Sequence, residues 1–420
     1  MKKSLFAIAA VTAFAGAAQA QSSVTVYGIL DVGYVGSNTR VSNGGTTGTN
    51  AGLVTKTQSS AIGQSAEQTS RIGFKGTEDL GNGMSAFFTA EFELFPEDQT
   101  LSGNSTSKDV VTSTSQTGGL KNRQTFVGVA KKGLGKAAIG TQYTPVFTSG
   151  AATSPGQYNN MLGDVIYAGT TTAGNNGGGE VSTSFTNRTS NTVTLATDKF
   201  SGFGANLMVT QNNNNATQTS STAGGNNNAS GWGLGADYTY NKFYVTAAYQ
   251  ALKQLTSASS TGVAAPTATT FGPWTSTQPS AGTKGSAVNV QDNQFLAGTT
   301  YDFGILKAYA QYVSRKATST ISSNYYVKRS AEQIGVRSFI TPTVEAWASI
   351  GTGRYTAYGL GQPTANFNGW QIGSNYLLSK RTNLYAIYGQ QNFSNANAGT
   401  GYGTVSANAN NYAVGVRHTF

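Results

Sequence analysis

From residue 21 onward, polar and apolar positions alternate along the chain with a period of two, in stretches of about ten residues. The last stretch is the clearest: Tyr412, Val414, Val416, His418 and Phe420 share one face, and Asn411, Ala413, Gly415, Arg417 and Thr419 share the other. Over residues 304–316, Leu306, Ala308, Ala310 and Tyr312 oppose Lys307, Gln311 and Arg315, and over 70–76, Ile72 and Phe74 oppose Arg71 and Lys75. Period two puts alternate side chains on opposite faces of a strand.

Two kinds of connection alternate between these stretches. The short ones, at 79–83, 131–135, 198–202, 240–243, 301–304, 341–343 and 379–383, carry the Gly, Asn, Asp and Pro residues that tight hairpins need. The long ones, at about 37–66, 97–119, 145–184, 212–230, 253–289, 318–328, 356–366 and 394–409, are rich in Gly, Ser, Thr and Asn and read as surface loops. Seven short turns and eight long loops join sixteen strands. That pattern predicts an all-β fold: a 16-stranded antiparallel transmembrane β-barrel with short periplasmic turns and long extracellular loops. Hydrocarbon cannot satisfy backbone N–H and C=O groups, so a spanning sheet must close, and about sixteen strands leave a water-filled interior. A β-sandwich would bury its apolar face in protein without needing alternating loop lengths. A solenoid would show a fixed repeat, and none is present.

Composition sharpens this picture. Only 10% of the 420 residues are charged, yet mean hydropathy is −0.26, too polar for a helical membrane bundle. The 11% aromatic content argues against a disordered polar chain. Residues 1–20 form a separate unit: Lys2 and Lys3, an apolar stretch from Leu5 to Ala18, and a small-x-small site at Ala18-Gln19-Ala20. This is the pattern of a cleaved secretory signal peptide, leaving residues 21–420 as one barrel domain. No later apolar run approaches the ~20 residues of a transmembrane helix. The absence of cysteine excludes a disulfide framework and a thiolate metal site. Formal charge is +10, and +8 without Lys2 and Lys3. The basic residues are dispersed, which suits a pore handling anions better than a nucleic-acid surface.

Several segments resemble the general porins of betaproteobacteria (Burkholderia, Bordetella and Neisseria type). They are Ser22–Asp31, Ser70–Met84, Asn122–Gly128, Leu378–Tyr385 and the terminal Gly415–Phe420. The resemblance runs the length of the mature chain. It implies a homotrimer of sixteen-stranded barrels in the Gram-negative outer membrane, each with its own pore for ions and small hydrophilic solutes. It also implies that the third long loop folds inward to narrow the pore, and that Phe420 belongs to the insertion signal read by the barrel-assembly machinery. Outer-membrane lipid and lipopolysaccharide are the expected surroundings, and no cofactor is implied.

The pore chemistry is expected on inward faces. Arg71, Arg123 and Arg188 stand at inward positions of the second, fourth and sixth strands and resemble the arginine cluster of the family's constriction. An arginine turned to lipid at mid-depth costs about 2–4 kcal/mol, whereas in a lumen its permanent charge sets the potential. Glu91 and Glu93 share the inward face of the third strand, where they either shape a transverse field or balance the arginines. Asp31 is a weaker case of the same kind. In the third loop, Asp164 is the candidate acid, and Tyr158 and Tyr167 either narrow the passage or pack the loop on the wall. Trp370, Tyr376, Tyr412 and Phe420 fall on outward faces, as membrane-interface aromatics or subunit contacts. The sole histidine, His418, has no G-x-S-x-G partner, so catalysis is not expected. A single histidine without cysteine is equally poor material for a metal site. A substrate-specific channel and an adhesin or phage-receptor role for the long loops remain open alternatives.

Overall fold

The computed structural model describes residues 23–43, 52–96, 120–167, 184–216, 225–256, 290–319, 326–358, 364–396 and 405–420. The proposed signal peptide and the centres of most long loops lie outside them. The strands are β1 (Ser23–Asn43), β2 (Val54–Gln64), β3 (Arg71–Gly81), β4 (Met84–Glu93), β5 (Lys121–Lys131), β6 (Gly135–Tyr143), β7 (Arg188–Thr197), β8 (Phe203–Ala216), β9 (Gly225–Tyr240), β10 (Phe243–Thr256), β11 (Val290–Asp302), β12 (Lys307–Ser319), β13 (Tyr326–Thr341), β14 (Val344–Tyr358), β15 (Ala365–Leu377), β16 (Thr382–Ala396) and β17 (Val405–Thr419). Among the described residues one helix, α1 (Pro145–Ala152), follows β6.

Consecutive strands pair antiparallel, except that β2 and β3 both pair with β1 and not with each other, and β1 pairs with β17, so the sheet closes. Closure ends on two reciprocal backbone hydrogen bonds of 3.1 Å between Gly28 and Phe420. The Phe420 ring lies over Gly28, where a Cβ would stand 2.3 Å from Cζ, so this seam requires glycine.

Seventeen strand segments make sixteen barrel strands, because β2 and β3 are halves of one. Both pair with β1, β2 through Val32–Ser42 and β3 through Ser23–Ile29. Between them six residues, 65–70, stand opposite only Leu30 and Asp31. The surplus chain turns into the lumen. Ser65 takes a φ of +60°, and its N–H donates to Asp31 O at 2.9 Å.

Burial is inverted relative to a soluble protein. On β15 the inward Ala365, Phe367, Gly369, Gln371, Gly373 and Asn375 are buried, while Asn366, Asn368, Trp370 and Ile372 point outward and are exposed. The outer wall carries an apolar band, with Ile334, Ile350, Ile372 and Val414 all more than half exposed. Toward the long loops the band ends in aromatic pairs: Trp232–Tyr249, Phe295–Tyr312, Trp370–Tyr388 and Tyr34–Tyr412, with centroids 5.2–6.3 Å apart. Toward the short turns it ends in Tyr301, Phe303, Phe339, Tyr376 and Phe420. Rings at both rims of an apolar band are the anatomy of a membrane barrel. Among the described residues no helix is long and apolar enough to cross a membrane.

The strands outrun their expected ends on the loop side. Residues 37–43 and 54–64, assigned above to the first long loop, are strand, as are 212–216 and 225–230. Asn212–Asn215 pair in register with Asn226–Ala229. Low-complexity polar sequence gives no period-two signal, yet a neighbouring strand still satisfies its backbone groups.

Candidate functional site

The third loop supplies what a barrel of this width otherwise lacks, an interior core. Thr144 opens α1 as its N-cap, its Oγ1 accepting from Phe147 N–H at 3.2 Å, and Pro145 occupies the first turn. The helix lies inside the barrel. Val146, Tyr158, Val165, Ile166, Tyr167 and Phe185 bury against Ala248, Leu296, Val313, Ala331 and Phe367 of the wall.

Inward carboxamides hold the loop's backbone. Gln311 Nε2 donates to Gly150 O at 2.9 Å, and Gln333 Oε1 accepts from Val165 N–H at 2.9 Å. Gln371 Nε2 donates to Leu162 O at 2.9 Å, while its Oε1 accepts from Asn159 Nδ2 at 2.6 Å. Gln294 Oε1 accepts from Thr186 N–H at 2.6 Å. Two buried arginines add charge-assisted bonds: Arg329 Nη2 to Val165 O at 2.6 Å and Arg337 Nη1 to Pro155 O at 2.8 Å. Gly389 lets the loop approach, since a Cβ there would lie 1.7 Å from Leu162 O.

The docking wall also holds two ion pairs, Arg315 with Asp292 at 2.6 Å and Arg337 with Glu345; the opposite wall, β3 to β7, carries a second charged cluster. Arg123 Nε donates to Glu91 Oε1 at 2.7 Å and its Nη2 to Tyr143 OH at 2.7 Å. Arg71 Nη1 lies 3.9 Å from the same Glu91 oxygen, and Tyr27 OH donates to Glu91 Oε2 at 3.0 Å. Arg188 stands over the Tyr143 ring at 5.5 Å. Arg123, Lys121, Arg188 and Arg71 all act electrostatically on Glu93. Arg71, Arg123, Arg188, Glu91 and Glu93 therefore meet in one cluster of four cations and two carboxylates, with Lys121 the cation not anticipated. A bulge places Arg123. β5 shifts register between Glu91 and Phe92, turning one extra residue inward. Arg123 is 1% exposed and braces the wall, whereas Arg71 and Arg188 are partly exposed.

The other expected residues sit elsewhere. Asp164 is buried in its own loop, Oδ1 accepting from the N–H groups of Ile166 and Tyr167 at 2.8 Å each. Burial holds its carboxyl above the usual carboxylate range, against the opposing pull of those backbone donors. Tyr158 and Tyr167 stack at 4.2 Å inside the loop core. Asp31 is fully buried and ties down the inward detour: Oδ2 accepts from Glu67 N–H at 2.9 Å and Gln68 N–H at 2.6 Å, and Oδ1 from Tyr385 OH at 2.6 Å. The detour in turn steadies both the arginines and the loop. Arg71 Nε donates to Thr69 O at 2.8 Å, and Asn160 N–H to Ala66 O at 3.0 Å. Sequence reasoning missed the detour and the glutamine wall. The glutamines had a signal: Gln250, Gln294, Gln311, Gln333, Gln371 and Gln391 occupy inward positions on six of the seven strands β10 to β16.

A sequence profile described as Gram-negative porin matches residues 7–396. The chain belongs to the Gram-negative porin family. Over 107 residues it is 43% identical to outer membrane porin protein 32 of Delftia acidovorans, covering 24% of this chain and 25% of that protein. Over 142 residues it is 34% identical to an outer membrane porin protein of Bordetella pertussis, covering 34% of each. These alignments thus span only a quarter to a third of the relatives' lengths. The solved structure titled anion-selective porin from Comamonas acidovorans superposes with a TM-score of 0.62 at 19% identity, covering 95% of this chain and all of that one. At that identity the likeness speaks for the fold: this porin is a sixteen-stranded closed barrel. Family, barrel and apolar band together place it in the outer membrane of a Gram-negative cell.

Proposed function

We propose that this porin is a general diffusion channel for ions and small hydrophilic solutes, passive and with a modest preference for anions. One observation carries the reading. Arg71, Arg123, Arg188 and Lys121 outnumber Glu91 and Glu93 on one wall, while the acid of the facing loop, Asp164, is turned into its own turn. The constriction is then formed by that charged wall and the inner loop. Arg71 and Arg188 present charge to the passage, Arg123 and Glu91 form the brace behind them, and Glu93 tempers the field. Asp164 shapes the loop rather than lining the pore.

In this reading the chain is exported by cleavage after Ala20 and works as a homotrimer. Phe420, at the closing seam, is read by the barrel-assembly machinery, and the outer wall contacts lipopolysaccharide. No catalytic role is assigned, since His418 faces outward beside Thr382 Oγ1 at 2.9 Å.

The test is the reversal potential of purified protein in a planar bilayer under a KCl gradient. A potential of the sign for chloride preference is expected. A clear cation preference refutes the selectivity, and absence of ion-conducting steps refutes the channel.

A further inference from the structure

We propose that Arg329, buried between β13 and the third loop, binds a small inorganic anion, chloride in a saline lumen, and that this ion helps to hold the loop. The inference concerns how the loop is held and stands apart from the channel reading.

Arg329 is 1% exposed. Its Nε donates to Tyr355 OH at 3.1 Å and its Nη2 to Val165 O at 2.6 Å, and both acceptors are neutral. The guanidinium carbon lies 4.6 Å from the centre of the Phe367 ring and 5.7 Å from that of Tyr355. These contacts satisfy hydrogen bonds and draw on the faces of two rings, but they do not cancel a full charge. Among the described residues Arg329 forms no ion pair. Its Nη1 is a buried donor without an acceptor.

The neighbours leave the charge standing. The register partner of Arg329 on β12 is Arg315, on the same inward face, and like charges directly opposite on a sheet repel. One carboxylate serves that pair, and it is engaged: Asp292 lies 2.6 Å from Arg315 Nη2 and also accepts from Gln294 Nε2 at 2.9 Å. Asp164 acts on Arg329 electrostatically, yet its oxygens accept from the N–H groups of Ile166 and Tyr167 and from Ser154 Oγ. A buried guanidinium opposite a second one, with an N–H to spare, is an arrangement that an anion stabilises.

The surroundings choose the class of anion. Val165, Ala331 and Phe367 are buried around the guanidinium. A carboxylate or phosphate has several oxygens to satisfy, and apolar walls cannot do so. A halide needs only donors and tolerates hydrocarbon on its other sides. A water molecule would satisfy Nη1 but leave the charge uncancelled. The guanidinium that would hold the ion also holds Val165 O, so the ion fixes the plane from which Nη2 reaches the loop. On the channel reading, the ion that passes the loop also secures it.

The experiment has two arms. In the first, detergent-purified protein is melted in sodium chloride, sodium bromide and sodium gluconate at equal ionic strength, gluconate being too large for the site. The wild-type midpoint is expected to be higher in either halide than in gluconate by at least about 2 °C. Arg329→Gln should lose that difference. Arg71→Ser with Arg188→Ser, which removes cations of the other wall, should keep it. Equal wild-type midpoints in the three salts overturn the proposal, as does a halide effect that persists in Arg329→Gln. The second arm needs no variant: crystals of wild type soaked in bromide should show an anomalous peak beside Arg329 Nη1. No peak there, or peaks confined to Arg71 and Arg188, overturns the proposal. Conductance is recorded in parallel. Channels without a halide effect on melting strike this inference alone, whereas a halide effect in a protein that forms no channel strikes the channel reading and leaves this one standing.

Discussion

The two walls of the lumen are built on the same strand geometry and do opposite work. From β10 to β16 a row of inward glutamines, with glycines between, holds the backbone of the third loop, and the charges there are mostly paired within the wall, Arg315 with Asp292 and Arg337 with Glu345. From β3 to β7 the inward positions hold arginine, lysine and glutamate, which pair with one another and with tyrosines. A carboxamide donates and accepts without carrying net charge, so it docks a loop and leaves the field alone. A guanidinium keeps its charge at any relevant pH, so it sets the field wherever water reaches it. Position in the lumen is thus divided from potential in the lumen, and each division is open to attack.

The largest expected effect is on selectivity. At ~6 Å in water each arginine lowers the energy of a passing monovalent anion by roughly 0.7 kcal/mol, about threefold in local concentration. Arg71→Ser with Arg188→Ser should therefore move the reversal potential strongly toward cations, with the melting midpoint little changed. Arg123→Ser should also shift selectivity, but it takes from the buried Glu91 its nearest partner, leaving Tyr27 and Arg71, and should cost about 1–3 kcal/mol of stability. If all three substitutions leave the reversal potential in place, the charged wall does not govern transport. On the other wall, Gln371→Ala with Gln333→Ala should do the reverse. Selectivity stays, while single-channel conductance rises and becomes noisier as the loop loosens, at about 1–3 kcal/mol for each buried partner left unpaired. Gly389→Ala should act in the same direction through collision with Leu162 O. Quiet, wild-type conductance in both variants would show that these contacts do not position the loop.

The charged wall was largely legible in the sequence and the docking wall was not, for a physical reason. Period two fixes which face a residue takes, so alternation put Arg71, Arg188, Glu91 and Glu93 on the inward side of their strands, and the resemblance to porins supplied the expectation that they line a constriction. It does not say what meets that face. The partners of Gln311, Gln333 and Gln371 are backbone atoms of a loop without periodicity, more than 150 residues away in sequence. The detour at 65–70 hid for a related reason: its polar residues read as loop, and only the register against Leu30 and Asp31 shows a spanning strand broken in mid-course. Asp31 and Asp164 were recognised as inward acids. Their neighbours, backbone N–H groups aimed at each carboxylate, turn them into braces, and no spacing in the sequence announces that.

Asp164 gives the smallest effect and the sharpest test of this division. Its carboxyl is held above the usual carboxylate range because burial disfavours the charged form. The folded chain then binds a proton more readily than the unfolded one, and where the unfolded state binds fewer protons, stability falls as pH rises. Wild type should therefore gain stability on acidification from about pH 7 to about pH 4, relative to Asp164→Asn, which has no proton to take up. The asparagine Oδ1 can still accept from Ile166 and Tyr167, so the loop should stay docked and the reversal potential at neutral pH should not move. Melting curves of the two proteins that run parallel across that range would remove the buried carboxyl from the energetics. A selectivity change at neutral pH would return Asp164 to the pore lining, as a charge facing Arg71 and Arg188.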